Sequence, residues 1–221
     1  MIPLKKIENA RHIVLVCEKE YFPQASILYS YLLTLHKKVS LFSLVSDSRY
    51  SFLPWYDKLR SNEIISFDIK VDANVEILEL FDFFKKHNIK INKKIATAFY
   101  AGFLERYENF LDPKGDGTLF AILSELLASG AEQKLCISAL QQRIPLSRFR
   151  LQSIIYKKFL LKKNAQLVYV CLNDADFEAS GASWDEVYFI AKELLNLVNV
   201  QQVLIKKSNE KNKIINLIKE V

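Results

Sequence analysis

Ile13-Val14-Leu15-Val16-Cys17 is a short apolar run rich in β-branched residues, and it predicts a buried strand. From Gln24 to His36 the period changes. Ile27, Leu28, Tyr31, Leu32 and Leu35 then form one stripe, which predicts a helix. Val39–Leu44 returns to a strand pattern. Strand, helix, strand is a βαβ unit and implies a parallel sheet with right-handed crossovers.

Farther along, Ser46–Asn62 is irregular and holds Pro54 and Trp55. Ile64–Asp68 reads as a third strand, ending on a carboxylate. Asn74–Asn88 carries Val75, Leu78, Phe81 and Phe84 on one face, and Asn92–Leu104 reads as a helix capped by Asn92. Asp112–Gly117 is the densest cluster of turn residues. Helices are expected at Thr118–Ser129, closed by Gly130, at Glu132–Gln142, and at Leu146–Lys158, opened by Pro145. Ala165–Leu172 and Val200–Ile205 read as strands around a helix at Trp184–Leu197, with the tail from Lys206 as an amphipathic helix. The expected division is an α/β domain over 1–130, a helical linker over 131–160 and a small α/β part over 161–221.

Half of the 221 residues are hydrophobic and a quarter are charged, which excludes a disordered chain. Lys and Arg outnumber Asp and Glu by 31 to 25, but the charges are spread rather than clustered, so a solvated surface explains them better than nucleic acid does. Cys17, Cys136 and Cys171 are too far apart for a structural zinc site and odd in number for a disulfide framework. No apolar run reaches the roughly 18 residues of a membrane span, and the start lacks a secretory pattern. A cytoplasmic protein with no membrane partner is expected.

The segment order resembles the DHH phosphoesterases. The frame is Ile13-Val14-Leu15-Val16, a helix, then His36-Lys37-Lys38-Val39, with Ser51-Phe52-Leu53-Pro54 after the second strand. The second half is closer: Asn92–Gly102 is similar to a family helix, and Thr118-Leu119-Phe120 with Leu126–Ala131 to another. The resemblance implies a parallel sheet flanked by helices and a C-terminal substrate-binding part, here shortened. It also implies a site where Asp and His hold two divalent metals, usually manganese, that activate a bridging water.

This chain departs from that pattern at each ligand motif. Cys17-Glu18-Lys19-Glu20 follows the first strand without His or Asp, and Arg106 stands at a metal-binding Asp position. The DHH triplet is absent, as is the C-terminal glycine-histidine loop. A guanidinium repels a cation. The cleft candidates are therefore Cys17, Glu18, Asp68 and Arg106, with no catalytic residue and no cofactor. Arg106 is expected either to pair with Glu18 or Asp68 or to bind a phosphate. Asp68 alone reads first as a turn or cap residue. Three functions follow. The first is a pseudoenzyme acting through a ligand, a protein partner or a second copy. The second is an active phosphoesterase on short oligonucleotides or cyclic dinucleotides, with a rearranged manganese site. The third is a module binding nucleotides or single-stranded nucleic acid.

Overall fold

The first apolar run lies in strand β1 (His12–Val16), where Ile13 and Leu15 are fully buried. In this computed structural model, residues 3–62, 64–107, 110, 117–140, 144–208, 210 and 213–219 are described. The chain divides into two compact units, Met1–Arg143 and Ile144–Val221.

In the first unit a four-stranded sheet has the order β3-β2-β1-β4. Strand β2 (Lys38–Phe42) and β4 (Ile69–Asp72) flank β1, and the two-residue β3 (Leu59–Arg60) forms the edge beyond β2; all three pairings are parallel. Helix α1 is Leu4–Asn9, α2 Phe22–Thr34, α3 Ile77–Lys86, α4 Lys93–Arg106, α5 Gly117–Ala128 and α6 Gln133–Leu140. Helices α2 and α4 are apolar on nearly every side, with Phe22–Leu32 and Ile95–Leu104 buried throughout. That is the pattern of helices surrounded by other elements. Small residues let them approach. A side chain at Gly102 would meet Ile77 Cδ1 at 2.7 Å and Pro23 Cβ at 3.4 Å. Asn92 caps α4, its side-chain oxygen accepting from the Ile95 N–H at 3.1 Å.

The expected third strand is misplaced. Ile64–Phe67 lie outside the sheet, Ile65 is 95% exposed, and the strand runs from Ile69 to Asp72. Ile13 pairs with Ile69 and Val16 with Asp72, and this register buries Val71 in the core. The Asp112–Gly117 turn lies outside the described residues except for Gly117, which opens α5.

The second unit begins with α7 (Leu146–Lys158) and holds a four-stranded sheet, β5-β6-β7-β8. Strands β6 (Leu167–Leu172) and β7 (Gln202–Lys207) are parallel, while β5 (Leu160–Lys162) and β8 (Ile214–Ile218) join antiparallel at the edges. Helices α8 (Asp174–Ser180) and α9 (Asp185–Leu195) fill the β6–β7 crossover. Val168, Val170, Val203 and Ile205 pack with α7 and α9 in a core of their own. The tail expected as a helix contains β8 instead, because Ile214–Ile218 completes the backbone hydrogen bonds of β7. Among the described residues no helix is long and apolar enough to cross a membrane.

Candidate functional site

The chain builds β1, β2 and β3 in one direction and then places β4 on the other side of β1. In an open parallel sheet, the carboxyl ends at such a reversal form the usual ligand crevice. Cys17 and Glu18 leave β1 there, Ser43 leaves β2, and Asp72 to Asn74 leave β4.

These groups are bound to one another. The Glu18 N–H donates to the Asn74 side-chain oxygen at 2.9 Å, and the Asn74 N–H donates to Asp72 Oδ1 at 2.9 Å. The Cys17 thiol is buried, and desolvation pushes its pKa up to about 12; the adjacent Ser43 side chain opposes that rise and the nearby Asp72 charge adds to it. A thiol held this way, with no imidazole beside it, is not a nucleophile at neutral pH. Ser43 is buried too, its hydroxyl donating to the Val45 carbonyl at 2.8 Å.

An ionic network ties α4 to the loop that follows β2. Asp47 accepts from Arg49 Nε and Nη2 at 2.9 and 2.8 Å. Arg49 Nη1 reaches Glu105 at 3.3 Å, and the buried Tyr50 hydroxyl donates to Glu105 at 3.3 Å. Burial raises the Glu105 pKa more than Arg49 and Tyr50 lower it. At Arg49, burial works against the charge, but the two carboxylates outweigh it and hold the guanidinium protonated. The two shifts agree once it is seen that Arg49 has two acids to serve and Glu105 only a shared base. Burial also drives the Tyr50 hydroxyl pKa upward.

Of the residues expected from sequence, Cys17 and Glu18 lie at this crevice. Asp68 does not. It sits at the opposite end of β4, accepting from the Arg11 and His12 N–H groups at 2.7 and 2.8 Å, and these bonds lower its pKa. Asp72 holds the position that Asp68 was expected to hold. Arg106 pairs with Glu76, just before α3, at 2.9 Å, rather than with the expected Glu18 or Asp68. Asp72, Asn74, Asp47, Arg49, Tyr50 and Glu105 were not singled out, and Glu105 was within reach as the neighbour of Arg106.

The donor set does not fit a pair of divalent ions. Among the described residues no group of three or more His, Cys, Asp and Glu is arranged to hold one. His12 lies at the far end of β1 against the Ser40 hydroxyl, and His87 ends α3 beside Phe83. Only residues 73–76 separate β4 from α3.

No family model matches this chain, and no curated protein does. Solved structures do. An exopolyphosphatase-related protein from Bacteroides fragilis aligns over 99% of this chain and 82% of its own, with a TM-score of 0.77 at 14% identity. The fold matches that of this exopolyphosphatase-related protein. At that identity the likeness is one of architecture: a parallel sheet flanked by helices, followed by a second sheet. A protein assigned as a family II inorganic pyrophosphatase from Methanococcus jannaschii aligns over 89% of this chain and 64% of its own, with 12% identity and a TM-score of 0.30.

Proposed function

We propose that this chain is a DHH-type phosphoesterase fold that no longer hydrolyses and acts by binding or assembly, through a ligand, a protein partner or a second copy. The observation that carries this reading is the state of the strand ends at the crevice. A protonated thiol, a carboxylate accepting from its own loop and an amide oxygen accepting from the neighbouring loop stand at the reversal point. Hydrolysis of a phosphodiester by two metals needs anionic oxygens and imidazoles converging on the ions. Here the four-residue link after β4 leaves no segment to supply them. Arg49 and Arg106, whose guanidiniums could bind a phosphate instead, are each paired with a carboxylate.

The test is direct. The full chain is incubated with manganese and a short oligoribonucleotide, a cyclic dinucleotide or inorganic polyphosphate, and released nucleotide or phosphate is measured. Release no greater than with manganese alone is expected. A rate proportional to protein and abolished by Asp72→Asn would overturn the proposal and restore a rearranged metal site.

A further inference from the structure

The second sheet is covered on one side only. The residues of β6 and β7 that alternate toward α7 and α9 are fully buried, including Val168, Val170, Val203 and Ile205. Their neighbours in sequence point the other way and remain partly or fully exposed, as do the corresponding positions of β5 and β8. Cross-strand register places Tyr169 beside Leu204, and Cys171 beside Lys206. Ile218, 64% exposed, extends this face at the β8 edge, paired with Gln202.

The chemistry of the face says what belongs there. The sheet is mixed, parallel only between β6 and β7, and its open face offers exposed aliphatic side chains such as Leu160, Ile214 and Ile218 for an apolar stripe to pack on. The charge on the face has one sign. Lys162 and Lys206 reach over the Tyr169 ring from two sides, their ammoniums 4.3 and 5.4 Å from its centre. The paired positions that share this face carry aliphatic, aromatic, thiol, amide and ammonium groups, and none is Asp or Glu. A second copy laid face to face would bring two more lysines and no acid, so like charges would meet where the sheets pack.

We propose that this open face docks an amphipathic helix of a partner protein, with an aliphatic stripe flanked by acidic residues. The stripe packs on Leu204, Ile218 and the Tyr169 ring, and the carboxylates meet Lys162 and Lys206. The proposal does not depend on the loss of hydrolysis in the first unit. Its test contains no hydrolytic readout, so each reading can fail alone.

Cys171 reports on the face, because it is the exposed thiol while Cys17 and Cys136 are buried. The full chain is treated with iodoacetamide in the presence of a synthetic helical peptide bearing a leucine stripe flanked by glutamates. Alkylation of Cys171 should slow about tenfold with the peptide at ten times its Kd. A peptide with lysines in place of the glutamates should give no protection. The double variant Lys162→Glu/Lys206→Glu changes two exposed side chains and should exchange the two results. Equal protection by both peptides, no protection by either, or an unchanged preference in the variant would overturn the proposal. So would protection of Cys171 by a single-stranded oligonucleotide, or by self-association seen in sedimentation without peptide, since the face would then belong to that occupant.

Discussion

Cys17 sits where the chain leaves the central strand, and its environment determines its chemistry. A thiol whose pKa is pushed up to about 12 is neutral across the physiological range. Iodoacetamide at pH 8 should therefore modify Cys171 in the native protein and leave Cys17 and Cys136 unmodified. All three should react in urea, with the adducts counted by intact mass. Alkylation of native Cys17 would show that the crevice opens. Glu105 gives a second test. Its folded pKa is raised above the ordinary 4.5, so the folded state favours the protonated acid. The stability it contributes is complete below pH 4.5 and is lost as pH rises through the higher folded value. Glu105→Gln should flatten the fall in unfolding free energy over that range, measured by urea denaturation against the parent chain. The same fall in both proteins would place the titrating group elsewhere.

The elements were legible to different degrees, for reasons that can be traced. Leu146–Lys158 is opened by a proline, and the helix has the expected bounds. The run Ile64–Phe67 is more apolar than Ile69–Asp72, yet the less apolar segment forms the strand, because only that register pairs with β1 and buries Val71. The four-residue displacement moved the strand-end carboxylate from Asp68 to Asp72 and so moved a site residue across the sheet. The tail was ambiguous, since Ile214-Ile215-Asn216-Leu217-Ile218 is apolar on both parities, and pairing with β7 decides it. Helix α8 did carry a sequence signal: Asn173 and Asp176 form a reciprocal capping box. The crevice itself was the least legible feature, because its groups come from the ends of three strands and meet only after folding. At the level of helices, Asn92→Ala should remove the α4 cap and cost about 1 kcal/mol. Phe99→Ala, at a position with no exposure amid Phe81, Phe84 and Phe103, should cost about 3–5 kcal/mol. Both are read from urea midpoints, and a smaller loss at Phe99 than at Asn92 would contradict the described core.

The molecule as a whole is two units, each with a hydrophobic cluster of its own. A unit with its own core is able in principle to fold alone. Residues 144–221 expressed alone should unfold cooperatively in urea by circular dichroism, and a featureless, non-cooperative loss of signal would show that the second cluster is insufficient. The chain has two tryptophans, and they fall in different units: Trp55, stacked on Tyr29 beneath the Lys94 ammonium, and Trp184, beside Phe177. Each half therefore carries one indole of its own. Replacing either indole by phenylalanine leaves a single indole, and excitation at the red edge of its absorption, where tyrosine does not absorb, lets ligand titrations and melting curves of the intact chain be assigned to one half without any added label.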